Sequence, residues 1–292
     1  MTPHDYDYLR KSLKERSGLM LSADKQYLVE SRLLPVARRA GLGNLSELVT
    51  ALKRDNAAAL MTAVVEAMTT NETFFFRDKT PFENFHSTVL PALMRARPNS
   101  RYIRIWCAAA STGQEPYSLA MSLKELGSEV DDWRIDILAT DLSNEVLERA
   151  SRGIYSQFEA QRGLPIALLI KYFKQVGDMW EIAPAIRSMV KYHRLNLLSD
   201  FSHLGMFDLI FCRNVLIYFD HQTKVDLLDR LAGATFRDGY LVLGAAETIM
   251  GLTDAFKLVP EKRGLYVPNI HSPAPASPSS IGRDAARPRL VA

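Results

Sequence analysis

Cysteine is almost absent from the 292-residue chain: Cys107 and Cys212 are its only two. So distant a pair cannot make a disulfide scaffold and lacks the close spacing of paired zinc ligands. A reducing interior fits best. The six histidines are scattered without metal-ligand spacing, so no metal is expected. No run approaches the ~18 apolar residues that span a bilayer, and no membrane insertion is expected. The opening segment MTPHDYDYLRKSLKER is charged from its first turn and lacks an apolar stretch ending in a small-residue cleavage site, so a secretory signal is not expected and the default location is cytoplasmic. Net charge is small, +3 from 36 basic and 33 acidic residues. That leaves no global attraction to nucleic acid or lipid, and any basic recognition surface must be local. No internal repeat of solenoid period is visible.

What is present is the balance of an ordinary globular protein, 47% apolar and 24% charged, in a chain long enough for one large or two modest domains. The first ninety or so residues read as helical. From Asp24 to Ala40, Tyr27, Leu28, Leu33, Leu34, Val36 and Ala37 fall near one face, and Lys25, Arg32, Arg38 and Arg39 are left outward, with Pro35 a point of kinking or interruption. Gly41 and Gly43 stop that helix. Asn44 with Glu47 has the capping-box pattern for another through Leu52, and a third run spans Ala57 to Met68. From Tyr102 short apolar runs alternate with helical segments, as in a parallel sheet covered on both faces. Strands are expected at YIRIWC, RIDILAT, FDLIFC and YLVLGAA, helices after Gln114, Ser143 and His221, and a terminal hairpin at FKLVP and GLYVP. Between 171 and 193 a less regular insert, with Trp180 and the run MVKYH, reads as a small antiparallel excursion. The Pro-, Ser- and Ala-rich stretch 269–292 is expected to be disordered.

Five segments could carry chemistry. In RIWCAAASTGQEPYS (104–118) a strand runs through a small-residue turn into a helix, the layout of a nucleotide pocket. Its one glycine, Gly113, falls short of the dinucleotide fingerprint, so a ligand without phosphates suits it better. Glu115 reads equally as the third position of a Thr112 capping box or as a ligand contact. In ILATDLS, Asp141 ends the second strand, where a carboxylate can accept both hydroxyls of a ribose or cap a helix. HRLNLL and FCRNVLIYF set Asn196, Arg213 and Asn214 beyond strand ends, where an open parallel sheet has its crevice; turn formation is the other reading of the asparagines. Tyr218 is a core aromatic or a catalytic hydroxyl. In AMTTNETFFFRD, Phe74 to Phe76 read as an interdomain core, leaving Asn71, Thr73 and Arg77 at a position that can fold over the crevice. Cys107 and Cys212 close neighbouring strands and read as inert buried thiols.

Together TTNETFFFRD, WCAAASTGQEPYS, ATDLS, RLNLL and FCRNVLIYF resemble the CheR-type chemoreceptor glutamate O-methyltransferases, in the right order and as far as about Pro268. The resemblance implies an α/β fold: a small N-terminal helical domain (1–75) for substrate recognition, then a doubly wound, Rossmann-like class I methyltransferase sheet (76–268) with a small inserted β-subdomain (171–193). It implies S-adenosylmethionine as cofactor, S-adenosylhomocysteine as product, and the cytoplasmic helical region of chemoreceptors as partner, with recruitment to receptor arrays at the inner membrane face. Carried over by position, Asn71, Thr73, Arg77, Glu115, Asp141, Asn196, Leu197, Arg213 and Asn214 would bind the cofactor, Asp141 at the ribose and Asn196 and Leu197 beside the adenine. Arg77 and Tyr218 resemble the residues nearest the transferred methyl. The basic helix face with Arg32, Arg38 and Arg39 would dock acidic receptor helices. Two departures are Gln114, where Glu is frequent, and an insert shorter and poorer in Gly and Arg than in members that dock a receptor's carboxy-terminal pentapeptide, which puts that docking in doubt. A base-amine methyltransferase is disfavoured, because Asn214-Val-Leu-Ile-Tyr218 lacks the prolines of Asn/Asp-Pro-Pro-aromatic; the alternatives are a cofactor-binding module without turnover and a class I methyltransferase acting on another protein or nucleic-acid substrate.

Overall fold

The computed structural model describes residues 1–269; the expected tail from residue 270 on lies outside the described residues. Asn269, placed in that tail by sequence, is held by Ala255, whose carbonyl accepts its backbone N–H at 2.8 Å. Four helices, α1 (Pro3–Ser17), α2 (Gln26–Arg39), α3 (Leu45–Leu52) and α4 (Ala58–Met68), share one apolar core built on Leu9, Leu13, Leu33, Leu48 and Val64. Local chemistry sets their ends. The Thr2 hydroxyl accepts the Asp5 N–H while the Asp5 carboxylate accepts the Thr2 N–H, a reciprocal cap. Asn44 accepts from the Glu47 N–H as its spacing predicts, but the return bond from Glu47 goes to the N–H of Gly43 rather than Asn44. Pro35 is carried inside α2 without breaking it. Tyr27, expected on the buried face, is 65% exposed; Val29 takes the inward position and keeps the i, i+4 row with Leu33 and Ala37. Among the described residues no helix is long and apolar enough to cross a membrane.

A linker leads through α5 (Thr80–Asn84) and α6 (Leu90–Ala96) into a seven-stranded sheet. Its strands are β1 (Tyr102–Ala108), β2 (Arg134–Asp141), β6 (Val190–Arg194), β7 (Phe207–Cys212), β8 (Thr235–Leu243), β9 (Phe256–Leu258) and β10 (Leu265–Pro268), while β3 (Ile154–Ser156), β4 (Phe173–Val176) and β5 (Met179–Ile182) form a second, antiparallel sheet. The large sheet runs β6-β2-β1-β7-β8-β10-β9, the first five parallel and the terminal hairpin antiparallel. The strands alternate sides: Ile103, Ile105, Cys107, Leu209 and Phe211 pack on one face, and Trp106, Ala108, Ile210 and Cys212 on the other. Helices α7 (Gln114–Glu125) and α8 (Asn144–Arg152) follow β1 and β2. The chain leaves β1 toward β2 on one side and, after β6, crosses back to β7 on the other side of β1, so a crevice opens above their carboxyl ends.

The insert differs from its sequence reading. The small sheet recruits β3 from residue 154, and VKYH of the run MVKYH belongs to β6, the outer strand of the large sheet, paired in parallel with β2 through Ile137 and Val190. Along β6 Val190 is buried and Tyr192 half-buried while Lys191 and His193 are exposed, so its residues alternate as an antiparallel ribbon's do. Phe75 also departs from expectation. It is fully buried, but edge-on to Tyr155 at 5.1 Å and Phe173 at 5.5 Å of the small sheet, not against the helical core.

Candidate functional site

A cleft lies over the ends of β1, β2 and β7. Asn71, Thr73, Arg77, Glu115, Asp141, Asn196, Leu197, Arg213, Asn214 and Tyr218 all line it. Arg32, Arg38 and Arg39 do not. Arg38 and Arg39 are exposed near the end of α2, whereas Arg32, read from sequence as outward, turns in: its Nη1 donates to the carbonyls of Met68 (2.7 Å) and Thr69 (3.0 Å), and its Nη2 to the Thr70 hydroxyl. It satisfies the carbonyl end of α4 and holds the start of the linker.

The floor is the turn after β1. Ala109, Ser111 and Gly113 all have positive φ (63°, 52° and 93°), so two residues with side chains occupy the conformation that glycine adopts freely. Gly113 has no such freedom to exchange, because a Cβ there would stand 2.7 Å from the Tyr192 hydroxyl oxygen. It is also the N-cap of α7, so the Thr112 capping box does not form, and the Thr112 hydroxyl donates instead to Oε1 of Gln114 at 2.8 Å. Glu115 is thereby released for another partner. Arg213 supplies it: Nη1 donates to Glu115 Oε2 at 2.8 Å, and Nη2 to Asp78 Oδ2 at 2.8 Å and the Arg77 carbonyl at 2.9 Å. The guanidinium is 2% exposed, and its Nε has no partner. Burial raises the Glu115 carboxyl above its ordinary range, with Arg213 pulling the other way.

Asp141 ends β2 with its carboxylate buried. Oδ2 accepts the Ser111 N–H at 2.8 Å and Oδ1 the Ser143 N–H at 3.0 Å, and burial still pushes the carboxyl up. Ser143, not Asp141, caps α8. The linker is drawn down over this floor by the Ser111 hydroxyl, which donates to the Asn71 carbonyl, and by the Ser118 hydroxyl, which accepts the Phe76 N–H. Arg77 rests against the Phe74 ring and donates to the Glu72 carbonyl at 2.8 Å. Asn196 follows β6; its amide nitrogen donates to the Arg16 carbonyl at 2.7 Å and so joins α1 to the rim. Asn214 is in the left-handed region, φ 58°, in keeping with a turn role, while also facing the cleft.

Sequence reading missed several wall residues. Ser17 and Leu19 reach the cleft from the end of α1, and Leu142 and Leu195 supply apolar surface beside Asp141 and Asn196. It also missed Glu247, behind the wall, whose carboxylate accepts four backbone N–H bonds. The only local signal was an acidic residue just after an apolar strand, in GAAETIM. Cys107 and Cys212 are fully buried on paired strands, and burial drives both thiols far up, away from the reactive thiolate. Among the described residues no group of three or more His, Cys, Asp or Glu side chains is arranged to hold a metal ion.

Residues 71–265 match the family described as CheR methyltransferase, SAM binding domain, and residues 4–69 match CheR methyltransferase, all-alpha domain. The chain is 42% identical over 259 residues to "Chemotaxis protein methyltransferase Cher2" of Pseudomonas putida, covering 87% of this chain and 94% of that one. It is 43% identical, with the same coverage, to "Chemotaxis protein methyltransferase 1" of Pseudomonas aeruginosa. To "Chemotaxis protein methyltransferase 1" of Vibrio cholerae it is 38% identical over 89% of this chain and 94% of that one.

Proposed function

The chain belongs to the CheR methyltransferase family, and from that premise we propose that it transfers a methyl group from S-adenosylmethionine to glutamate side chains of chemoreceptors, forming methyl esters and S-adenosylhomocysteine. The observation that carries the reading is the convergence of Arg77, Glu115, Asp141, Arg213 and Tyr218, drawn from four separate segments, on one cleft.

The cleft suits the cofactor by its donor set. Asp141 has carboxylate lone pairs left for two ribose hydroxyls, Glu115 offers negative charge to an α-ammonium, and Arg213 carries an unpartnered buried Nε that calls for an acceptor. Asn196 and Leu197 would flank the adenine; Asn71, Thr73 and Asn214 would complete the wall. When bound, S-adenosylmethionine supplies an electrophilic methyl group on a positively charged sulfur. A glutamate acceptor, with a pKa of ~4.3, is already ionised at neutral pH, so the chain need not hold a strong base. Its residues instead position and dry the reactants. Attack by a carboxylate on a cation neutralises charge, and replacing water by fixed dipoles favours it. Arg77 orients the incoming carboxylate, and the Tyr218 hydroxyl holds the acceptor by a hydrogen bond. Over-tight pairing with Arg77 would blunt the nucleophile, so its part is alignment rather than activation.

Residues 1–75 serve as the receptor-recognition domain, with the exposed Arg38 and Arg39 facing acidic receptor helices. The partner is the cytoplasmic part of the receptor, which sets the site of action at the inner membrane face. Incubation with labelled S-adenosylmethionine and receptor-containing membranes, followed by mass spectrometry of the receptor helices, tests the reading. Base-labile methyl groups on glutamates are expected. Cofactor binding with no transfer would instead make the chain a binding module.

A further inference from the structure

Glu247 lies in the turn after β8, 8% exposed, with its own N–H donating to the Gly244 carbonyl. Its carboxylate gathers backbone donors from two segments. Oε2 accepts the N–H groups of Gly244 (2.7 Å) and Asn214 (2.8 Å), and Oε1 those of Val215 (2.9 Å) and Leu216 (2.8 Å). Three successive N–H groups converge there because the chain leaves β7 through a left-handed residue, Asn214, and enters a tight turn, Leu216–Tyr218. Such a path strips these groups of ladder partners, and buried N–H groups must be satisfied somewhere. Gly244 makes the room: a Cβ there would fall 2.7 Å from Glu247 Oε2 and 2.8 Å from Asn214 Nδ2.

The pinned backbone is the base on which Tyr218 stands. The Tyr218 N–H donates to the Val215 carbonyl at 3.1 Å and the Phe219 N–H to the Leu216 carbonyl at 3.0 Å, so the turn that presents the ring to the cleft grows directly from residues whose N–H groups Glu247 holds. We propose that Glu247 is a positioning residue for methyl transfer, acting through the loop 214–216 to set the aim of Tyr218. The proposal rests on the methyltransferase reading above. It assigns Glu247 no contact with either reactant.

Glu247→Gln is nearly isosteric but turns an N–H₂ group toward backbone donors. Its kcat for transfer to receptor membranes falls by about tenfold or more, as small misplacements of a catalytic group do, with the loss concentrated in kcat rather than in the KM for S-adenosylmethionine. In a Tyr218→Phe background the same substitution costs no more than about twofold, the mark of two residues acting through one element. Amide exchange at residues 214–216 quickens in Glu247→Gln, a readout independent of activity. A normal kcat, equal losses in both backgrounds, or unchanged exchange would overturn the proposal. If Glu247→Gln does not fold, Glu247→Asp, which keeps the charge and shortens the reach by one methylene, carries the same expectations. Wild-type protein that methylates no receptor glutamate defeats the functional reading, whereas active wild type with an equally active Glu247→Gln defeats only this inference.

Discussion

Both ends of β7 carry an arginine set between two carboxylates, and the two clusters are satisfied to different degrees. At the amino-terminal end Arg97 donates to Asp208 at 2.8 and 3.1 Å and to Asp238 at 2.5 and 2.7 Å, and the other oxygen of Asp208 accepts the Arg104 N–H. Nε and both terminal nitrogens of Arg97 are used, and β1, β7 and β8 are tied together. Just past the carboxyl-terminal end, Arg213 bridges Glu115 and Asp78 but keeps an unpartnered Nε in a far more buried setting, 2% exposed against 19% for Arg97. Arg97 holds the Asp238 carboxyl below its usual range, whereas Glu115 stays raised by burial despite Arg213. One cluster is complete as a structural clamp. The other is a desolvated charge set with one donor unused, and its Arg213 and Glu115 line the cleft.

Swapping the insult between the clusters separates them most strongly. Arg213→Met removes the one cation between Glu115 and Asp78, and we expect loss of S-adenosylhomocysteine affinity by about a hundredfold or more, read by calorimetry. Arg97→Met strands the buried Asp208 and lowers unfolding free energy by about 3 kcal/mol in denaturant titration, while the folded fraction keeps its cofactor affinity. Equal affinity losses in the two variants would erase the distinction.

Acid sharpens the contrast. Because the folded-state pKa of Glu115 lies above its ordinary 4.5, the folded protein takes up that proton first. Acidification through the window above pH 4.5 therefore weakens the grip on a cationic ligand group without costing fold stability through Glu115. Asp238 has the opposite sign: its depressed pKa contributes stability above 3.8 that is lost as pH falls through the folded value. Cofactor affinity should thus fall before thermal stability does, and Glu115→Gln should flatten the affinity profile.

A smaller version of the same division runs along α2. Arg32→Ala removes bonds to the carbonyls of Met68 and Thr69 and should lower stability by about 1–2 kcal/mol. Charge reversal at the exposed Arg38 and Arg39 should leave the melting temperature nearly unchanged and raise the KM for receptors severalfold, an effect that fades at high salt. An unchanged receptor KM would remove the docking role.

Much of the site is legible in short motifs because the features involved are local. Asp141 is recognisable as the residue closing an apolar strand, and Gly113 as the turn before a helix, since both follow from the geometry of neighbouring residues. Glu115 was ambiguous for the same reason: a Thr three residues before it satisfies the local rule for a cap, and only the left-handed Gly113 at the N-cap shows that rule unused. Arg32 follows the helical period of an outward residue, yet its partners lie 36 to 38 positions away. Glu247 leaves almost no trace, because its partners are backbone groups that any sequence possesses.

By itself the amino-acid order determined the four central strands, the helices that follow them and which side chains arrive at those strand ends, since steric preference and hydrophobic period act between near neighbours; the sheet to which the MVKYH run belongs was not among them. Which charges meet, and in what state, was decided only by assembly. Arg213 and Glu115 are 98 positions apart. Their ion pair, the raised carboxyl beside it and the idle Nε exist because several elements close over them and exclude water, and desolvation belongs to the packed surroundings rather than to any stretch of chain.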